Sequence, residues 1–162
     1  FASYAQFVFL LDTGCRIGEA RALEWSDCVT DTGRITFWGN TTKTGKSRTV
    51  EMSERLKEML TQLERMTNHP KVFDAVTASG FYDTWQRMRH ALGKLKDPQF
   101  VIHALRHTCA TKLMAGGVDV VTVQHWLGHT DIKTTMKYAH FMPQRLSVAT
   151  AAINHRATHV TA

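Results

Sequence analysis

Residues 103–117, HALRHTCATKLMAGG, and residues 126–140, WLGHTDIKTTMKYAH, are the stretches that decide the fold. In the first, small and apolar residues recur at helical spacing before two glycines, which readily adopt the left-handed conformation that ends a helix. In the second, Gly128 is placed to end one helix and Asp131 to cap the start of another. The patterns therefore predict three consecutive helices, over residues 103–115, 119–127 and 131–139.

The rest of the chain is predicted to be mostly helical, with one small sheet. An apolar segment predicts a buried helix over residues 2–11 that ends before Gly14, and residues 17–23 have the spacing of a second, short helix. Residues 34–38 and 47–52 are rich in β-forming residues, and the GNTTKTGK segment between them predicts a hairpin or a three-stranded ribbon. Further helices are predicted over residues 53–66, 79–92 and 143–154. The fold class is thus mainly α with a small antiparallel β-sheet, an α+β domain.

Composition narrows the possible partners and compartments. The 162 residues fit one domain, and the net charge of +6 favours an anionic partner, nucleic acid above all, although a merely solvated basic surface fits the charge equally well. Three widely spaced cysteines predict reduced thiols in the cytoplasm. No apolar run is long enough to span a membrane, and no signal peptide is recognisable. Because the chain opens at Phe1 within an apolar segment, we expect a fragment of a longer protein.

Two arginines and a histidine form the first candidate set for chemistry. His103 and Arg106 lie three residues apart, so one helix would present both side chains on the same face, ready to donate to one phosphate. Arg16 lies far upstream in TGCRIGEA. Glu19 follows it by one helical turn and can orient its guanidinium group for bidentate contact with a phosphate.

A histidine and a late tyrosine complete the pattern. His129 follows Arg106 by 23 residues, and Tyr138 follows His129 by nine. A tyrosine hydroxyl is a poor nucleophile at neutral pH, with a pKa of about 10, so it needs nearby cations to stabilise the developing charge. Tyr4 and Tyr82 lie at no such offset from the histidines and arginines.

A basic hairpin, TKTGK at residues 42–46, offers the proton for a leaving group. Lys43 and Lys46 are both candidates for the general acid, and the family resemblance given below implies Lys43, with Lys46 as the competing candidate. The alternative for both is a basic hairpin that only contacts phosphates.

In order and spacing, these motifs resemble the catalytic set of the tyrosine recombinases, the phage integrase family, over roughly residues 5–145. The resemblance implies a metal-free and cofactor-free site of seven residues, with Arg16, His103, Arg106 and His129 on the scissile phosphate, Glu19 supporting Arg16, Lys43 as general acid and Tyr138 as nucleophile. It also implies residues 1–162 as a catalytic domain without the family's N-terminal DNA-binding domain, ending in a tail, residues 143–162, that docks on a neighbour.

The implied function is site-specific recombination of double-stranded DNA, with phage or prophage integration favoured. The expected partners are DNA and other protomers in a tetrameric synapse, in the bacterial cytoplasm and on the nucleoid when bound. Two enzymes with the same chemistry stay open as alternatives, a chromosome-dimer resolving recombinase and a type IB topoisomerase. Alternatives from other classes are a non-catalytic DNA-binding module and a histidine-rich metal protein, for which His103, His107, His125, His129 and Cys109 have plausible zinc spacing.

Overall fold

The computed structural model describes residues 1–43, 45–143, 150–151 and 153. Within these residues the chain forms helices around a three-stranded antiparallel sheet. The elements, in chain order, are α1 (Ala2–Thr13), α2 (Ile17–Ala22), β1 (Cys28–Val29), β2 (Arg34–Phe37), β3 (Arg48–Glu51), α3 (Glu54–Glu64), α4 (Ala78–Ala91), α5 (Ala104–Ala115), α6 (Val120–Leu127) and α7 (Ile132–Met136). The C-terminal tail, with the helix predicted over residues 143–154, lies largely outside the described residues.

The sheet has the order β1-β2-β3, and the segment that joins β2 to β3 carries the exposed Lys43 and Lys46. Strands β2 and β3 pair from Arg34 opposite Glu51 to Phe37 opposite Arg48. Alternate side chains point inward, as the two-residue period of a strand requires, so Ile35 and Phe37 are buried. The inner face of the sheet therefore closes one side of the main core.

Helix α1 runs through the centre of the larger core and packs against α3 and α5. Phe9 is fully buried, and its ring lies edge-on to Phe37 at 6.2 Å and to Phe73 at 5.1 Å between centroids. Edge-to-face pairs of this kind add to the burial energy of each ring. The helix is apolar on most of its surface because it is surrounded by packed elements.

A second, smaller core joins α5 to α6 and fixes the helices that carry the histidines. Cys109, Ala110 and Met114 of α5 pack against Val123 and Leu127 of α6. The end of α1 is pressed into this junction at a glycine: Gly14 has φ +61°, and a Cβ there would stand 2.6 Å from a methyl carbon of Leu127. Only glycine fits both the left-handed backbone and the space.

The predicted fold class is confirmed, and so are several predicted helix ends. Ser53, Asp119 and Asp131 each cap a helix through the side chain, and Gly128 ends α6 with φ +68°. Several element boundaries differ from prediction by one to three residues, and one element was not predicted. Helix α7 ends at Met136, because residues 139–141 tighten into a 3₁₀ turn, and the two-residue strand β1 was not predicted.

None of the helices in the described part of the chain has the length and hydropathy needed to cross a bilayer.

Candidate active site

Glu19 is a buried carboxylate that ties two arginines together. The residue is 3% exposed, and its carboxylate accepts a hydrogen bond from the backbone N–H of Arg16 at 2.7 Å and from its guanidinium at 3.3 Å. Arg48 of β3 donates to both carboxylate oxygens, at 3.0 and 2.8 Å. Burial alone would raise the pKa of Glu19, but the bonds and charge of Arg48, and then those of Arg16, hold it below its ordinary value. Glu19 is therefore ionised, and its carboxylate contacts the guanidinium of Arg16 one helical turn away.

Arg48 also connects the sheet to the end of α6. Its Nε donates to the carbonyl of Trp126 at 3.0 Å, and its guanidinium lies 4.3 Å above the centre of the Phe37 ring. The Trp126 carbonyl is one of the last in α6. Such carbonyls have no partner within the helix and carry the negative end of the helix dipole. A Cβ on Gly128 would stand 3.0 Å from the Arg48 side chain, so the glycine leaves room for the arginine.

Arg106 is 3% exposed and bridges the ends of two helices. Its Nη1 donates to the Gly14 carbonyl, and its Nη2 to the Leu127 carbonyl, each at 2.7 Å. These carbonyls lie at the C-terminal ends of α1 and α6, where a cation is favoured. Burial, and then the charges of Arg16 and Arg48, lower the pKa of Arg106 to about 10. The guanidinium stays charged at neutral pH and is rigidly held.

A cavity of about 280 Å³ lies between α2 and the start of α5. Arg16, His103 and Arg106 line it, together with the apolar side chains around them. Burial, and then the charges of His107, Arg106 and Arg16, lower the pKa of His103. The structure thus brings the first candidate set to one cavity whose donors suit a single phosphate group.

His129 and Tyr138 are held by the same buried residue, Thr135. The Thr135 hydroxyl lies 2.8 Å from Nδ1 of His129, and the Thr135 carbonyl accepts the backbone N–H of Tyr138 at 3.0 Å. Gln124 adds a bond to the His129 carbonyl at 3.1 Å. Because Nδ1 is occupied by Thr135, the Nε2 atom of His129 is the one left to contact a ligand.

Burial and the surrounding charges keep the His129 side chain neutral at physiological pH. Burial, followed by the charges of Arg106, Arg16, His103 and Arg48, lowers the pKa of His129 to about 4. Three of these neighbours are arginine cations, and the fourth, His103, becomes a cation when it is protonated. His129 therefore lies in a concentrated positive field. An anion entering this field would be strongly attracted.

Tyr138 lies at the edge of this group of basic side chains, and its hydroxyl contacts the imidazole of His107. Its hydroxyl oxygen hydrogen-bonds to Nδ1 of His107, and the two ring centres are 5.8 Å apart. Burial raises the pKa of Tyr138, although the charge of Arg106 acts in the opposite direction. The His107 ring in turn lies edge-on to His103 at 4.8 Å, so one imidazole separates the tyrosine hydroxyl from a side chain that lines the cavity.

The two lysines of the hairpin are placed differently relative to the other candidates. Lys43 is exposed, and among the described residues no hydrogen bond or ion pair joins it to the other candidates. Lys46, also exposed, lines a smaller cavity of about 150 Å³ with Arg48 and His129. Residue 44 lies outside the described part of the hairpin.

Three side chains of this site were not predicted from the sequence: Arg48, His107 and Thr135. Arg48 follows the lysine segment, and in the sequence it resembles the other basic residues there. No local pattern pairs it with Glu19. His107 lies one turn after His103, a signal that the zinc alternative had used. In the described part of the chain, however, no three His, Cys, Asp or Glu side chains are grouped to hold a metal ion.

Comparison with known proteins shows which sequences and folds the chain is similar to. The sequence model of the phage integrase family matches residues 2–145. The chain is 36% identical over 142 residues to the integrase of Escherichia phage P2, covering 88% of this chain and 39% of that protein. It is 35% identical over 134 residues to the tyrosine recombinase XerA of Saccharolobus solfataricus, covering 82% of this chain and 44% of that protein. The chain thus spans about two fifths of the length of these relatives.

Solved structures share the fold. The catalytic domain of bacteriophage HP1 integrase superposes with a TM-score of 0.69 at 33% identity, covering 91% of this chain and 79% of that one. The XerH site-specific recombinase, in a pre-cleavage complex, superposes with a TM-score of 0.70 at 27% identity, covering 91% of this chain and 46% of that one.

Proposed function

The chain belongs to the phage integrase family of tyrosine recombinases, and on that premise we propose that it breaks and rejoins DNA strands at specific sites through a covalent bond between Tyr138 and a 3′ phosphate. The single observation that carries this proposal is the placement of the Tyr138 hydroxyl on the His107 imidazole, whose ring contacts His103 of a cavity that Arg16 and Arg106 also line. A DNA-binding module without chemistry would have no use for a tyrosine at that place.

The two cavity arginines stabilise the charge that develops on phosphorus. When a phenol attacks a phosphodiester, the anionic charge on the non-bridging oxygens increases. Arg16 is aimed by Glu19, and Arg106 is held by two helix ends, so neither has to reorganise during the reaction. Removal of one such donor typically raises a barrier by about 2.7–4 kcal/mol. This stabilisation takes the place that a divalent cation has in other phosphoryl transfers.

The two histidines donate hydrogen bonds to the same phosphate. His129 is neutral at physiological pH, and in the tautomer in which the Thr135 hydroxyl donates to Nδ1 the imidazole proton is on Nε2, from which it can be donated to a phosphate. His103 lines the cavity beside Arg106. A bound anion raises the pKa of both imidazoles, because it offsets the positive field that lowers them in the free protein.

Lys43 delivers a proton to the departing 5′ oxygen. It is exposed in the segment that joins β2 to β3, so it is free to enter a DNA groove. Lys46 remains the competing candidate, since it lies nearer to His129. The energy of the broken ester is kept in the phosphotyrosine bond, and religation therefore needs no ATP.

Double-stranded DNA is the proposed substrate, and phage or prophage integration is the favoured reaction. Relatives named integrase, from Escherichia phage P2, Escherichia phage 186 and Haemophilus phage HP1, support integration. XerA and XerC relatives support the resolving recombinases as the second candidate. The XerH structures described as bound to difH substrate, before and after cleavage, support DNA as the ligand. Assembly of protomers into a tetrameric synapse, with the tail of one docked on the next, completes the proposal.

Trapping of the covalent intermediate tests this function. The protein is incubated in EDTA with a pool of short nicked duplexes that carry randomised sequence, so that the cleaved fragment diffuses away and the adduct accumulates. We expect adducts that survive denaturation, with the DNA attached by its 3′ end to Tyr138, and sequencing of the attached strand then identifies the site.

Two tyrosine variants serve as a matched pair in the same assay. Tyr138→Phe removes one hydroxyl and should fold yet form no adduct, whereas Tyr82→Phe, at an exposed tyrosine of α4, should react like the wild type. An adduct formed by Tyr138→Phe, or cleavage that appears only with Mg²⁺, would refute the proposal.

A further inference from the structure

The proton of the Tyr138 hydroxyl must leave when that oxygen attacks phosphorus, and none of the groups assigned above receives it. Lys43 supplies a proton to the leaving oxygen, and the arginines and His129 donate to the phosphate. The side chain in contact with the hydroxyl is His107, through Nδ1. Among the described residues it is the only histidine with a hydrogen bond to Tyr138.

We propose that His107 is a catalytic residue, the general base that takes the phenol proton of Tyr138 during cleavage and returns it during religation. This inference rests on the proposed function, because it assigns a role within the same reaction. It concerns a contact between α5 and the segment after α7, across 31 residues of sequence.

The protonation states of the two groups suit this transfer. Burial raises the pKa of Tyr138, so the resting side chain is a neutral phenol that can donate. His107 is largely exposed, but its partial burial, and then the charges of Arg106 and Lys137, lower its pKa, so the resting imidazole is neutral and can accept. A base works best when it is unprotonated at the operating pH and within hydrogen-bond reach of the proton.

The other histidines of the site are committed elsewhere. Nδ1 of His129 is occupied by Thr135. His103 lines, with Arg16 and Arg106, the cavity proposed for the phosphate, and its ring contacts His107 at 4.8 Å between ring centres. Position along α5 divides the work: the imidazole nearer the helix start faces the phosphate, and the one a turn later faces the nucleophile.

The step balances as follows. The O–H bond of Tyr138 breaks and an N–H bond forms on Nδ1 of His107, while the phenol oxygen bonds to phosphorus. The bond from phosphorus to the 5′ oxygen breaks, and that oxygen takes a proton from Lys43. In religation the 5′ hydroxyl gives its proton to the lysine, and the departing phenolate recovers its own from the His107 imidazolium. No oxidant or further reactant is needed.

Fluorinated tyrosine tests the proposal in the full chain, because an acidic phenol needs little help from a base. The chain has three tyrosines, and Tyr4 and Tyr82 are exposed, so Tyr4→Phe and Tyr82→Phe restrict incorporated 3,5-difluorotyrosine to position 138. On the nicked duplex selected above, His107→Ala should slow adduct formation by about 10²-fold or more. Fluorination should recover at least about tenfold in His107→Ala and change the parent little.

Two further variants separate a base from a structural support. His107→Asn keeps an oxygen that can accept the hydrogen bond but cannot hold the proton, so it should be as slow as His107→Ala. His140→Ala, at an exposed imidazole whose ring contacts Phe141, should match the parent. Religation, started by adding a strand with a 5′ hydroxyl, should slow in the His107 variants by the same factor as cleavage.

Each result decides the matter. Full activity of His107→Asn, or an equal effect of fluorination with and without His107, would overturn the role of base while leaving the recombinase intact. Absence of any adduct in the parent would refute the proposed function, and the role of His107 would fall with it.

Discussion

Removal of the Glu19 charge should cost the protein a large part of its stability. Glu19→Gln keeps the size of the side chain but leaves Arg48, whose side chain is 8% exposed, without its carboxylate partner. Loss of one member of a buried ion pair typically costs about 3–5 kcal/mol. Arg48 keeps its bond to the Trp126 carbonyl and its stacking on Phe37, so we expect the lower end, about 3 kcal/mol in the free energy of unfolding.

A double-mutant cycle measures this directly. Urea unfolding, followed by circular dichroism, is recorded for the wild type, Glu19→Gln, Arg48→Met and the double variant. Because the second change removes a charge that the first has already stranded, the double variant should lose about 2 kcal/mol less than the sum of the two single losses. The control is Arg55→Met. The Arg55 side chain is half-exposed, so its ion pair with Asp12 should contribute about 1 kcal/mol or less to the free energy of unfolding.

The pH dependence gives the cycle a second readout. The folded pKa of Glu19 lies below its ordinary value of 4.5, so its contribution is fully present above pH 4.5 and is lost as the pH falls through the lowered folded value. The stability gap between wild type and Glu19→Gln should therefore narrow in acid. If the two single losses instead add in the double variant to within about 0.5 kcal/mol, the carboxylate and Arg48 are not coupled and the reasoning is refuted.

Three further predictions concern chemistry, protonation and binding. Lys43→Ala should cleave slowly but be largely rescued on a duplex whose bridging 5′ oxygen is sulfur, because a thiolate leaves unprotonated; equal defects on both substrates would shift the role to Lys46, tested the same way. The pKa of His129 is about 4, below its ordinary 6.5, so the free energy of unfolding should decrease as the pH falls from 6.5 towards 4. His129→Asn should reduce this pH dependence, as measured by urea unfolding at each pH. Fluorescence anisotropy on a labelled duplex should show that residues 1–162 bind DNA weakly and that the affinity falls steeply as the salt concentration rises. An affinity that hardly changed with salt would show that contacts other than those between the net charge of +6 and the phosphates dominate binding.

Local signals predicted much of the fold, because helix ends are chosen by residues close in sequence. Ser53, Asp119 and Asp131 accept the unpaired N–H groups of the turn that follows each of them, and Gly128 adopts the left-handed angle that ends α6. Strand β1 has no such signal: its two residues become a strand only because Cys28 and Val29 meet Ile35 and Arg34 of β2.

The candidate site divides in the same way. The sequence alone determined which residue types are present, their order and their spacing, and it paired Arg16 with Glu19 because one helical turn separates them. Only the tertiary structure decided that Arg48 completes that pair, that Arg106 bridges the carbonyls of Gly14 and Leu127, and that His107 meets Tyr138. These contacts join residues 29, 92, 21 and 31 positions apart. Such partners are set by how helices and sheet pack in three dimensions, and no periodicity of a single element encodes them.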